Sequence, residues 1–253
     1  MPLVWGRALE LSPSPLAAVA MLASLARGIL EREYPAFRTE SIRRLRLRDG
    51  GVFYVRGNGW DAYTFFEVFI KGVYDGALPV SSGTTVVDMG SNIGTTCAYW
   101  RLRVPGASIV AVEPEVSNGG MLRLNLGEGV SVEDAAVSAS SGWAQLAAGD
   151  RPTGHQLTAG DNGDGLMTRT LTPDDILASH RPERVGLLKV DIEGAEAEVF
   201  TRPWDLLEIT DKIVMEIHGD EIRPRIVEAL ARYGFVHSRS EGAPDATDLF
   251  VRR

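Results

Sequence analysis

The sequence predicts a doubly wound α/β fold, a mostly parallel sheet with helices on both faces, preceded by a smaller α+β appendage. Three observations predict it. From Thr84 onward, short apolar, β-branched runs alternate with helix-length segments, as a parallel sheet requires. The run Thr85-Val86-Val87-Asp88-Met89 opens into a turn, Gly90-Ser91-Asn92-Ile93-Gly94, that leads into a helix-like segment. One strand later, Ser108-Ile109-Val110-Ala111-Val112 ends in an acid, Glu113. A glycine turn after one strand and a carboxylate at the tip of the next form a nucleoside-binding pair. The turn takes the charged tail and the acid takes ribose hydroxyls.

Composition sets the outer bounds. The 253 residues suffice for one large α/β domain, and 44% hydrophobic with 24% charged residues is a globular balance. A net charge of -8 argues against nucleic acid as a partner. The basic run Arg43-Arg44-Leu45-Arg46-Leu47-Arg48 alternates with leucine and is read as a strand with one solvated face. Cys97 is the only cysteine, so no intrachain disulfide can form, which fits a reducing, cytoplasmic setting. The apolar stretch Pro15–Ala26 is too short to span a bilayer and is read as an N-terminal helix. A small-molecule substrate and, in a homodimer, a second copy of the chain are the partners expected; a membrane is not.

In order, residues 1–80 form the appendage and residues 81–253 the core. Residues 1–35 are a helical leader, punctuated by Pro13 and Pro15 and ended by Tyr34-Pro35. Ser41–Leu47 and Val52–Val55 flank Asp49-Gly50-Gly51 as a hairpin, and Asp61 begins a helix through Ile70. Such an appendage is expected to cover a cofactor and shape a substrate pocket, on analogy of fold alone. In the core, strands are expected at Thr85–Met89, Ile109–Glu113, Val130–Ala135, Val185–Asp191 and Asp211–His218, with Phe235–Ser238 and Asp248–Arg252 last. Ala136-Val137-Ser138 and Trp143–Leu146 read as a hairpin. Gly149–Gly165 reads as a long loop in which His155 either touches substrate or is merely solvated. Thr172-Pro173-Asp174-Asp175 is a helix start, Thr172 capping and Asp175 answering it three residues on. Ile222, Ile226 and Leu230 mark one face of a helix that Gly234 ends.

Spacing separates two cofactors. A dinucleotide site uses Gly-x-Gly-x-x-Gly; here the pattern is Asp88-x-Gly90-x-Asn92-x-Gly94. An acid at the strand end repels pyrophosphate but suits a cation, and S-adenosylmethionine (SAM) carries a sulfonium and an ammonium. A nicotinamide-dependent oxidoreductase is the alternative from another class. Ligands of open α/β sheets lie beyond the strand tips, so Asp88, Asp191 and Glu216 are expected to meet in one cleft. By the two-residue period, Lys189 shares a face with Asp191, and Glu216 shares one with His218. Glu193 and Glu196 are read either as functional or as favourable charge at a helix N-terminus.

The motifs Asp88-Met-Gly90-Ser-Asn92-Ile-Gly94, Val112-Glu113-Pro114, Leu188-Lys189-Val-Asp191-Ile-Glu193-Gly194-Ala-Glu196 and Met215-Glu216-Ile-His218-Gly219 together resemble the FkbM-type SAM-dependent methyltransferases. The likeness runs from about residue 50 to residue 220, and Asp61, Phe65, Phe66 and Tyr74 resemble the segment that precedes the family's first core strand. The resemblance implies a Rossmann-like class I methyltransferase fold with a seven-stranded, mostly parallel sheet, and O-methylation of a sugar or polyketide-type secondary metabolite. N- or carboxylate-methylation is the alternative.

On this reading Gly90, Ser91, Asn92 and Gly94 line the methionine tail, and Asp88 orients that turn or the ammonium. Glu113, with Pro114 beside it, holds both ribose hydroxyls. Asp134 or Ala135 lies near adenine, and Asp191 borders the cofactor. His218, Asp191 and Glu193 are the candidate general bases, with Lys189 beside them, and an imidazole's titration near neutral pH favours His218. Alternatively Asp191, Glu216 and His218 hold Mg²⁺ or Mn²⁺ against the substrate oxygen.

Overall fold

The structure, a computed structural model, describes residues 2–148, 155–158, 166–239 and 247–253. The chain falls into two units, Met1–Val73 and Tyr74–Arg253. The division precedes residue 80 because the Tyr74–Pro79 stretch is bound to the core. Tyr74 donates to Glu216, Asp75 accepts from Tyr99, and Lys212 donates to the carbonyl of Ala77.

In the first unit, helices Pro2–Leu11 and Pro15–Glu33 precede a hairpin of Ile42–Arg46 and Val52–Arg56. Ser14 caps the second helix by accepting from the N–H of Ala17, with Pro15 at the first position. Leu45 is buried between exposed Arg44 and Arg46, so the basic run is a one-sided strand, as its alternation predicts. Helix Trp60–Phe65 continues as a π-helical turn, Phe66–Lys71. Asp61 is buried there, accepting from Arg56 and Asn58, and so locks the turn before its own helix. No single helix among the described residues is long and apolar enough to cross a membrane.

The second unit is built on seven strands: β1 (Thr85–Met89), β2 (Ser108–Val112), β3 (Val130–Glu133), β4 (Val185–Val190), β5 (Lys212–Met215), β6 (Phe235–Arg239) and β7 (Asp248–Arg252). Their order across the sheet is β3-β2-β1-β4-β5-β7-β6, with only β7 running antiparallel to its neighbours. The strand order reverses between β1 and β4, which places the ligand crevice at their carboxyl ends. Helices α1 (Thr95–Arg103) and α2 (Val116–Leu126) follow β1 and β2. Every residue of β4 is buried, the mark of a strand covered on both faces. Val87, Leu188, Val190, Ile213, Met215, Phe200 and Phe250 are among the residues that form the core beneath the crevice.

Two sequence expectations are corrected. Ala136–Val137 does not pair with Gly142–Ala148: Leu166–Leu171 lies between them, parallel to the first and antiparallel to the second, with Thr170 opposite both Ala136 and Gly142. The turn residues Ser140–Gly142 bend the chain, but the two-residue strand finds its partner 34 residues on, Ala136 opposite Thr170. Within the presumed loop 149–165, His155–Thr158 is a strand paired with Gly142–Ala148. The role offered for the His155 side chain, and the rest of that stretch, lie outside the described residues. The capping box at Thr172 and Asp175 is present as predicted.

Candidate active site at the strand tips

The register of the sheet builds the site. Lys189 of β4 stands opposite Asp88 of β1, and Val190 opposite both Met89 and Met215. Lys189 is almost fully buried, with its ammonium 2.6 Å from the carbonyl of Gly90, 3.3 Å from Asp88 and 3.5 Å from Asp191. Burial alone would pull its pKa down; Asp88, Asp191 and Glu216 outweigh that and hold it above the ordinary lysine range. Lys189 is therefore a permanent cation. Its ammonium ties together the tips of β1 and β4.

Asp88 is likewise part of the framework. It is fully buried, accepts from the Thr96 hydroxyl and the Cys97 thiol, and has Lys189 as its counter-charge. Of the two roles offered, orienting the turn is the one these contacts support. Ser91 turns inward too, its hydroxyl donating to the Asp88 carbonyl and accepting from the N–H of Val112. Its side chain bridges β1 and β2. The Cys97 thiol is held well above its ordinary pKa by burial and by Asp88, which keeps it inert.

Gly90 has φ 83°, and a Cβ there would lie 1.8 Å from the carbonyl oxygen of Asp191. The glycine is required first by the neighbouring chain and only then by any ligand. Gly90→Ala is expected to displace the Asp191 turn and to cost more than the ~1–3 kcal/mol of a lone strained backbone. The measurement is a melting curve; a Tm within 2 °C of wild type would sink this.

Glu113, at the tip of β2, accepts from the backbone N–H of Asn92 (2.8 Å) and of Glu115 (3.0 Å) and from Asn118 Nδ2 (3.2 Å). Burial raises it to about 7 in spite of those donors. A carboxylate offers about four acceptor positions; three are filled, so about one, on Oε2, is left for a ligand hydroxyl. Asn92 has φ 49° and closes the turn with its own side chain on the N–H of Ile93. Gly94 lies against Leu122 and Leu126 of α2, and Pro114 follows Glu113 at the same tip. At the tip of β3, Ala135 is buried, while Asp134 is exposed and paired with Arg123 at 2.7 Å.

Beyond β4 and β5 lies a cluster of charge. Asp191, Glu193 and His218 present ligand atoms all within 4.8 Å of one another. His218 Nε2 is 3.5 Å from Glu193 and 3.9 Å from Asp191, while Nδ1 is 2.9 Å from Glu196. Glu216 departs from the predicted ligand set: it accepts from the Tyr74 hydroxyl at 2.6 Å, and Glu193 takes the place assigned to it. β5 itself ends at Met215, one residue before Glu216. Burial and Asp191 raise Glu216 to about 7, against the opposing pull of Tyr74, Lys189 and His218.

The expected titration of His218 near neutrality is corrected as well. The hydrogen bond to Glu196, with the charges of Glu196, Asp191 and Glu193, raises it to about 9 against burial. Burial works to raise Glu196, but His218 and the N–H of Gly194 hold it below the ordinary glutamate range. Glu193 is raised by burial and by Asp191.

Residues 88–236 match the model of the Methyltransferase FkbM domain. The chain belongs to the FkbM methyltransferase family. Among its relatives, the methyltransferase sdnD of Sordaria araneosa is 28% identical over 234 residues, covering 76% of this chain and 89% of that one. The 31-O-demethyl-FK506 methyltransferase FkbM of Streptomyces tacrolimicus is 24% identical over 237 residues, 78% of this chain and 90% of that one. The crystal structure of methyltransferase FkbM from Methylobacillus flagellatus KT aligns with a TM-score of 0.52 at 16% identity, over 98% of this chain. This chain spans 58% of that one, and the likeness is one of fold.

This FkbM methyltransferase is thus a SAM-dependent enzyme of the Rossmann-like class I fold, and the nicotinamide reading is set aside. The family match begins at Asp88, so Asp61, Phe65, Phe66 and Tyr74 lie outside it, and it extends past residue 220 to Val236. The residues present fit SAM: the tail turn has no side chain at Gly90, and Glu113 keeps an acceptor position open. Sequence reasoning gave Tyr74 no role at the site, because its contact with Glu216 spans 142 residues with no local signal. It left Glu196 undecided between a helix-end charge and a functional group; the contact with His218 places it beside the site.

Proposed function

We propose that this FkbM methyltransferase methylates a hydroxyl oxygen of a small molecule, with His218 accepting the hydroxyl proton. The observation that carries the reading is continuity. Glu113 holds Asn92, the turn's Gly90 packs on Asp191, and Asp191 lies beside His218. Cofactor turn and proton acceptor are therefore one contiguous surface. When bound, SAM supplies an activated methyl on a positively charged sulfur. The chain's own work is to align the acceptor oxygen and remove its proton. Glu113 fixes the sugar, the Gly90–Gly94 turn seats the tail, and the exposed imidazole faces the acceptor.

One relative's name supports a small acceptor, 31-O-demethyl-FK506. The net charge of -8 disfavours a polyanionic one. The test is tritiated-methyl transfer from SAM into a panel of sugar and polyketide alcohols with matched amines and carboxylic acids. Label entering alcohols alone is the expected result, and label entering amines or acids instead would overturn it.

A second reading is favoured by the compactness of Asp191, Glu193 and His218, which would hold Mg²⁺ or Mn²⁺ through two carboxylate oxygens and one nitrogen. Under the proton-acceptor reading, turnover after dialysis against EDTA stays within about twofold of the untreated enzyme. Loss of turnover with recovery on adding Mg²⁺ or Mn²⁺ gives the site to a cation.

A further inference from the structure

We infer that Glu196 is the positioning residue of this site: by holding Nδ1 of His218 it fixes the tautomer and turns Nε2 into the nitrogen that takes the acceptor's proton. The inference deepens the proposed O-methyl transfer and rests on it. Its observation is an asymmetry. Glu196 is fully buried, whereas the side chain of His218 is 35% exposed. A buried carboxylate is costly unless it is paired and hydrogen-bonded. Here one oxygen of Glu196 meets both His218 Nδ1 at 2.9 Å and the N–H of Gly194 at 3.1 Å. The carboxylate is thus held by its own backbone turn before it holds the ring. A carboxylate on one imidazole nitrogen makes that nitrogen the donor and leaves the lone pair on the other. Nε2 is the nitrogen turned towards Asp191 and Glu193, at the crevice.

Atoms and charge balance with these groups. The methyl passes from sulfur to the acceptor oxygen, and the electron pair of the broken S–C bond stays on sulfur. The acceptor's O–H breaks, and its proton is received at Nε2. The resulting imidazolium lies beside an ionised Glu196, so no proton moves onto the carboxylate. The groups facing His218 are Glu196 from its helix, Asp191 and Glu193 from the turn after β4, and Glu216 from the end of β5. All are acidic, and together they favour the charged ring. The acceptor form of His218 is the neutral one.

The test uses the full chain, ¹⁵N-labelled, with His218 assigned through His218→Gln. Imidazole nitrogen shifts are followed from pH 5 to 10.5 in wild type, Glu196→Gln and Glu196→Ala. In wild type the neutral ring is expected to carry its proton on Nδ1. Glu196→Gln keeps an acceptor but loses the charge, so the midpoint drops by a unit or more while the tautomer stays. Glu196→Ala loses both the midpoint and the tautomer preference. In the tritium assay on whichever panel alcohol takes label, Glu196→Gln shifts the alkaline rise of kcat to lower pH with KM for SAM within about twofold. A glutamate paired with His218 only as structure would move the midpoint but leave the pH profile of kcat where it was.

A neutral ring protonated on Nε2 in wild type, or a midpoint unmoved in Glu196→Gln, overturns the inference. The reading of the reaction fails separately: no label in any alcohol, with the nitrogen shifts behaving as described, removes the O-methyl assignment and leaves the Glu196–His218 pairing standing as structure.

Discussion

Lys189→Met lowers the free energy of unfolding by about 3–5 kcal/mol, the loss expected when one partner of a buried ion pair is deleted and the other charge stays behind. The stranded group is Asp88, fully buried, with the Thr96 hydroxyl and the Cys97 thiol as its other side-chain donors among the described residues. Gly90 loses the cation on its carbonyl at the same moment. For a unit of this size each kcal/mol moves Tm by about 2–4 °C, so a fall of roughly 6–20 °C is expected by calorimetry. Adding Asp88→Asn to Lys189→Met should recover a large part of that loss, because the buried charge is removed with its partner. A Lys189→Met protein as stable as wild type but unable to transfer methyl would return the lysine to the chemistry and defeat the structural assignment.

Glu113→Ala weakens SAM binding by about 10–100-fold, the ~1.5–3 kcal/mol of a hydrogen bond to a charged acceptor. The change also frees the N–H of Asn92, so the tail turn loosens together with the sugar contact. Calorimetry with SAM measures it, and Glu113→Gln, which keeps the shape, should fall between the two. The sign of the pH dependence follows from burial, which raises Glu113 to about 7. Below that pH the carboxyl is protonated, and above it the group is an acceptor only. Wild-type affinity for SAM therefore rises as pH passes through about 7, and Glu113→Ala should lack that rise. An alanine variant that binds SAM as tightly as wild type would remove Glu113 from the cofactor site.

Much of the fold was legible because each core element carries its own local signal. β1 and β2 are β-branched runs ended by a glycine turn and an acid, and the helix after Thr172 announces itself by its cap. The small sheet was not legible, since a strand of two residues has no period and its partner lies 34 residues on, Ala136 opposite Thr170. The places of Gly90 and Glu113 were legible for the same reason as the strands: both sit at fixed positions beside a recognisable element. Which way the acids point was not. Asp88 and Ser91 read as ligand groups and face inward; Glu216 read as a ligand and is held by Tyr74.

The sequence by itself determined the wound order of strands and turns, the place of the crevice and the family's motifs. Those follow from hydrophobic period, glycine and acids at element ends, all properties of neighbours along the chain. Only the tertiary structure decided what each charge does. The parallel register of β1 and β4 sets Lys189 against Asp88 and makes both part of the framework. The turn after β4 brings Glu196 under His218, across 22 residues. A charge's role depends on what lies within a few ångströms and how much water reaches it, and neither is written in the spacing of residues.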